Sequence, residues 1–210
     1  FDGLQMITTV ILATSAWSQK DIASQGYVRI CLALGAILTV VALAWAIELP
    51  LKFGLEWFDE QAMVGCLGLV LAIVFVRYPA RGGRERLVIP WDDTVFASLG
   101  LIASIYLISI YSEIELNPFA MRPHMFWISI ILLPLVWEAL RRTAGWSLTI
   151  IFSCFVIYAF LGHLVPGETF RGVEQAPYRL IAELGTNNAS ILGLPLKIIV
   201  LTVVLFIWMG

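Results

Sequence analysis

The sequence predicts an all-α integral membrane protein, a bundle of about six to seven transmembrane helices with one further helix lying in the interface. Three observations predict it. Of the 210 residues 60% are hydrophobic and 13% charged, with a mean hydropathy of +0.90; soluble domains carry about 45–50% and about 25%. A soluble fold has no interior large enough to hide so much apolar surface. Apolar stretches of helix-spanning length recur along the chain, and Lys/Arg clusters alternate with acidic loops between them. That alternation is what insertion with the positive loops inside produces.

The orientation is set by the loop Arg77-Tyr78-Pro79-Ala80-Arg81-Gly82-Gly83-Arg84-Glu85-Arg86, which concentrates positive charge between two apolar segments. Placing Arg77, Arg81, Arg84 and Arg86 in the cytoplasm fixes the direction of every other segment.

In order, Leu4 to Trp17 is apolar but short of the about 20 residues that a span requires, and is dotted with Thr and Ser. No basic leader precedes it, so residues 1–25 are read as an extra or truncated helix. Lys20 and Arg29 follow on the inner side. A first span covers Val28 to Ile47, and Glu48, Glu56, Asp59 and Glu60 make an acidic outer loop. A second, Ala62 to Val76, returns to the arginine loop. Ile89-Pro90-Trp91-Asp92-Asp93 opens the third: Pro suits a first helical turn, Trp the interface, and Asp the positive helix N-terminus. This span runs to Tyr111, with Ser112-Glu113-Ile114-Glu115 outside. The fourth, Met125 to Leu140, contains Pro134 and ends inside at Arg141-Arg142. A fifth covers Trp146 to Leu161. Phe170 to Leu184 has apolar residues at helical spacing and reads as the interfacial helix. Ile191 to Met209 re-enters the membrane. The start at Phe1 and the end at Gly210 inside an apolar run are what a piece of a longer polypeptide would show.

The candidate chemistry is sparse. A net charge of −2 without a basic strip of interleaved aromatics gives no nucleic-acid surface. Cys31, Cys66 and Cys154 lie in apolar segments without paired spacing, as packing residues do. His124 and His163 fall near the outer surface; they are haem or metal ligands on one reading and interfacial polarity on the other, and no carboxylate or Cys spacing supports ligation. Glu138 precedes Arg141 and Arg142 by helical spacing, which makes an ion pair at the inner boundary or, alternatively, a proton relay. Lys197, set in apolar sequence just after Gly193-Leu194-Pro195, either snorkels to the outer surface or serves a pathway or docking role. No nucleophile with a base, His-Glu-x-x-His pair or Gly-rich phosphate loop occurs, so no enzymatic reading and no bound cofactor follows. The part holding the first four spans, Val28 to Leu140, reads as free of buried charges and broken helix pairs, the marks of a substrate pathway. Trp45, Trp57, Trp91, Trp127, Trp137 and Trp146 lie mostly near span ends, as interfacial anchors do.

Several stretches taken in order resemble a known family: Ile89-Pro90-Trp91-Asp92-Asp93, Glu138-Ala139-Leu140-Arg141-Arg142-Thr143-Ala144-Gly145-Trp146, Tyr158-Ala159-Phe160-Leu161-Gly162 with Pro166-Gly167, and Ile191-Leu192-Gly193-Leu194-Pro195-Leu196 leading to Phe206-Ile207-Trp208-Met209-Gly210. Over residues 26–210 this succession resembles the fused permease of tripartite ATP-independent periplasmic (TRAP) transporters, in the branch served by TAXI-type binding proteins. The resemblance implies a four-helix scaffold module over residues 26–142, like the small membrane subunit. It also implies a connecting helix, an interfacial segment and the start of the large transport module over residues 143–210. It implies a multi-pass protein of the bacterial or archaeal inner membrane that imports organic anions such as carboxylates. A periplasmic substrate-binding protein would deliver the anion, and a Na+ or H+ gradient would drive uptake by symport. Outer loops 48–61, 113–124 and 163–187 would help dock that protein. The family's Gly/Ser-rich transport motifs are absent, so no substrate or ion ligand carries over. Lys197 stands where the family tends to have a small residue, and the segment before Gly26 is additional. The alternatives are a membrane anchor of a redox complex, with His124 and His163 as ligands, and a structural membrane protein without transport.

Overall fold

The computed structural model describes residues 25–54, 58–78, 90–116, 123–165, 172 and 175–187. These form α1 (Gln25–Ala46), the short α2 (Leu49–Lys52), α3 (Asp59–Arg77), α4 (Trp91–Leu116), α5 (Pro123–Leu161), a 3-10 turn (Gly162–Leu164) and α6 (Pro177–Thr186). Among the described residues there is no strand, and four helices are long and apolar enough to cross a membrane: α1, α3, α4 and α5 with its 3-10 extension. A count of six or seven spans would need Leu4 to Trp17 and Ile191 to Met209, which lie outside the described residues. So do Lys20, Glu56, Trp57, Arg81, Arg84, Arg86 and Lys197.

The longest helix is two. Gly145 interrupts α5 with φ 76° and ψ −173°, a backbone region essentially confined to glycine because any Cβ would clash there. Residues 137 and 153 lie symmetrically about Gly145, each about 12 Å of helix away, so in a straight rod they would be about 24 Å apart. Instead the Trp137 indole Nε1 donates to Ser153 Oγ at 3.0 Å. The chain therefore folds back into a hairpin, with an N-terminal limb before Gly145 and a C-terminal limb after it. These are the fourth and fifth spans expected from the sequence.

The third span is longer than expected. Ser112-Glu113-Ile114-Glu115 continues α4 to Leu116 instead of forming a loop. The cause is packing: Leu107, Tyr111 and Ile114 are buried on one stripe at helical spacing, so one more turn extends the same contact.

α3 is the hub, packed against α1, α4 and α5, and most of its length is buried. Lipid is as apolar as leucine, so apolarity alone does not hold helices together in a bilayer; close packing of small residues does. The α3–α4 seam follows that rule. Gly65 and Gly68 face Ile108 and Ser104, and Gly100 faces Leu71, with Ala97 and Ala103 buried alongside. α1 meets α3 through Ala42, Ala62, Met63 and Cys66. At that end Trp45 Nε1 donates to Asp59 Oδ1 at 3.1 Å and Gln61 Nε2 to the Ile108 carbonyl at 3.0 Å. Trp91, Trp127 and Trp146 are largely exposed, as interfacial anchors should be, whereas Trp45 and Trp137 are committed to internal hydrogen bonds.

The expected interfacial helix over Phe170 to Leu184 is the shorter α6, and it is docked on the N-terminal limb of α5. Ala182, Gly185 and Thr186 are buried, and Ser129 Oγ reaches the Ala182 carbonyl at 3.1 Å. Gly172 N donates to the Gly162 carbonyl at 3.0 Å, fastening the preceding chain to the end of the hairpin. Gly185 allows this approach, because a Cβ there would meet Ser129 Oγ, Cβ and Cα, the last at 2.7 Å. Backbone cannot give way as a side chain can. Gly185→Val is expected to lift α6 off the limb, costing about 1–3 kcal/mol locally. Hydrogen exchange in detergent would show faster exchange over 177–186 and unchanged protection in α3.

Candidate functional site

Three helix ends converge at one end of the bundle, hereafter the arginine end: the C-terminus of α3, the first turn of α4 and the last turn of the N-terminal limb of α5. Each brings one polar group that its own helix leaves over. α3 leaves the carbonyl of Tyr78, one of the orphan acceptors at any helix C-terminus. α4 brings Asp93 in its first turn, where the helix dipole favours a carboxylate. α5 brings Arg142 near the end of its N-terminal limb, where the dipole favours a cation.

Arg142 joins them. Its Nη1 donates to Asp93 Oδ1 at 2.6 Å and to the Tyr78 carbonyl at 3.1 Å, and its Nε donates to Glu138 Oε1 at 2.7 Å. The side chains of Arg142 and Asp93 are each 1% exposed. The guanidinium also lies over the Phe75 ring at 4.9 Å and near that of Phe96 at 5.8 Å, so aromatic faces cover what the acceptors do not. Arg141 closes the cluster with a fork onto Glu138, Nε to Oε2 and Nη2 to Oε1, both at 2.7 Å. It lies 5.7 Å from the Trp146 ring, across the hairpin turn.

Among the described residues two cations, Arg141 and Arg142, face two carboxylates, Asp93 and Glu138. Breaking such a set is costly because its members are already out of water. Both oxygens of Glu138 accept guanidinium N–H groups, which favours the ion pair over a proton relay. The four-helix part therefore does contain buried charges, contrary to the expectation from sequence. They are paired, and they sit where helix ends meet instead of along a pathway. The expectation failed because Asp93 looked satisfied by its helix N-terminus alone, and nothing in the local pattern pointed to Arg142, 49 residues away. One signal was available: the charge alternation puts the start of the third span and the end of the fourth on the same side, with an acid and two arginines at the same depth.

Arg77 ends α3, with its guanidinium 5.9 Å from the Tyr78 ring. His124 stands at the start of α5, edge-on to Tyr106 with ring centres 6.4 Å apart, and its buried Nε2 has no hydrogen-bond partner among the described residues. His163 is half-buried in the 3-10 turn. Among the described residues no group of three or more His, Cys, Asp or Glu is placed to hold a metal ion, and Cys66 and Cys154 are free thiols.

No family model, curated protein or solved structure matches the chain.

Proposed function

We propose that the chain is the N-terminal membrane portion of a binding-protein-dependent secondary transporter of the TRAP type. It imports organic anions such as carboxylates across a bacterial or archaeal inner membrane, and residues 26–142 act as the fixed scaffold. The observation that carries the reading is the coincidence of motif and structure at Glu138-Ala139-Leu140-Arg141-Arg142-Thr143-Ala144-Gly145-Trp146. This stretch is the longest that resembles the family, and it supplies both the charge lock and the hairpin turn. A stretch on which three helix ends depend is one that a membrane scaffold has to keep.

The tight small-residue seam between α3 and α4 supports a static role, because interlocked backbones resist sliding. The outward faces of α1, α4 and the C-terminal limb of α5 are apolar and exposed, compatible with lipid. The periplasmic partner docks at the end opposite the arginines, where α6 and the start of α5 lie, and the coupling Na+ or H+ binds in the transport module beyond these residues.

The test is uptake of a radiolabelled carboxylate panel into proteoliposomes holding the full-length protein, with and without its candidate binding protein. Uptake that needs both the binding protein and an imposed ion gradient is the expected result. Absence of uptake under every gradient, from protein shown to be folded, would contradict the proposal. A haem absorbance band in the purified protein would instead favour the redox-anchor alternative.

A further inference from the structure

Between α1 and α3 the chain turns through residues whose apolar side chains the bundle does not cover. Ile47 is 53% exposed, Leu49 38% and Phe53 76%. Glu48 turns the chain off α1 with φ 55°, a left-handed conformation uncommon outside glycine, while its N–H donates to the Trp45 carbonyl at 2.9 Å. α2 follows as a single turn. Phe53 carries it one residue further, its N–H donating to the Leu49 carbonyl at 3.3 Å and the Pro50 carbonyl at 3.1 Å. Residues four apart share a face of such a turn, so Leu49 and Phe53 form one apolar ridge. Lys52, also exposed, lies about 100° round the axis from it.

Neighbouring helices set the level of this turn. The Trp45–Asp59 hydrogen bond holds the end of α1 beside the start of α3. α3 carries Asp59 and Glu60 in its first turn and Arg77 in its last. Its 19 residues rise about 27 Å, close to the about 30 Å of a bilayer's hydrocarbon core. The charged ends of α3 thus bracket the apolar layer, and the turn begins just past Trp45, at the headgroup boundary. It also continues a surface compatible with lipid. α1 meets the bundle along α3, and its outward side exposes Ile30, Ile37 and Val40. Ile47, whose N–H donates to the Leu43 carbonyl at 3.1 Å, comes two helical turns after Val40 and prolongs that stripe.

We propose that residues 47–53 are an interfacial anchor in the membrane leaflet opposite the arginine end. α2 lies along the bilayer surface with Leu49 and Phe53 at the top of the acyl chains, and Lys52 reaches the lipid phosphates on its flexible stem. Lipid is the occupant of this face, and a soluble partner is left the other surfaces of that end. The anchor rests on the membrane reading and does not depend on transport.

Fluorescence quenching on the full chain in phosphatidylcholine vesicles tests it. Phe53→Cys and Lys52→Cys are made separately, with Cys31, Cys66 and Cys154 replaced by alanine, and each is labelled with bimane. Both positions are exposed, so neither change disturbs the core. The quenchers are phosphatidylcholine with a nitroxide near the top of its acyl chain, and aqueous iodide. The label at 53 should be quenched by the nitroxide lipid about two- to threefold more than the label at 52, and less by iodide, as the two sides of an interfacial turn require. Ile37→Cys, midway along the exposed side of α1, gives the lipid-facing limit. Iodide quenching there would refute the membrane reading and the anchor with it. With that limit met, equal responses at 52 and 53 would overturn the anchor alone. Protection of the label at 53 from both quenchers would do the same, since it would show a protein cover instead of lipid.

Discussion

Arg142→Met is expected to destabilise the bundle by about 3–5 kcal/mol, the usual consequence of removing one partner from a buried charge set. The substituted side chain fills similar space, but Asp93, 1% exposed, loses the Arg142 guanidinium, the Tyr78 carbonyl loses a donor, and Glu138 keeps Arg141. Thermal unfolding in detergent, followed by retention of a monodisperse species, measures the loss. Asp93→Leu combined with Arg142→Met should recover most of it, because replacing both members of a buried pair by apolar side chains is often neutral or stabilising. A single variant as stable as the parent would show that the cluster does not tie the three helix ends. A double variant no better than the single would place the value of Arg142 in its contacts with Glu138, Phe75 and Phe96 instead of the Asp93 pair.

Gly68→Leu is the second large effect. A Cβ at this position would stand 2.6 Å from the Ser104 Cβ and 2.7 Å from its Oγ, close to the helix backbone of α4. The two helices must separate, and overpacking of this kind costs about 1–3 kcal/mol or more. Gly65 provides the contrast on the same helix. Its nearest neighbour would be the flexible tip of Ile108 at 3.4 Å, which can yield. Alanine is favoured over glycine in a helix by about 1 kcal/mol, so Gly65→Ala is expected to be neutral or stabilising. The pair separates close helix contact from simple loss of a glycine, and thermal stability in detergent measures both. Equal effects at the two positions would contradict the seam described here.

What could be read in the sequence follows from which forces leave a periodic or compositional trace. Apolar length marked α1, α3, α4 and both limbs of α5, because a span must exclude water along its whole course. The arginine pair marked the end of the fourth span, whereas the role of Gly145 in the turn appears only in the structure. Glu113 and Glu115 suggested a loop and concealed the last turn of α4, since two exposed acids outweighed the single buried Ile114 that continues the Leu107–Tyr111 stripe. Glu138 with Arg141 and Arg142 was legible because helical spacing brings them together. The partnership of Asp93 was not, because it depends on which helix ends meet in space, and that is decided by the α3–α4 seam. Gly65, Gly68 and Gly100 looked like any glycines in an apolar run; their role appears only opposite Ser104 and Leu71. The docking of α6 through Gly185 was hidden for the same reason.

The claim that this part of the chain stands still while a transporter works is tested most directly by tying α3 to α4 and measuring uptake. Leu71 Cβ and a Cβ built on Gly100 are 3.2 Å apart, close to the about 3.5–4.5 Å that a disulfide spans. Full-length protein carrying Leu71→Cys and Gly100→Cys, with the native cysteines replaced by alanine, would be assayed in proteoliposomes after oxidation and again after reduction. The expected result is carboxylate uptake at the same rate in both states. Uptake that is abolished by oxidation and restored by reduction would show that α3 and α4 move against each other during transport, and would contradict a fixed scaffold.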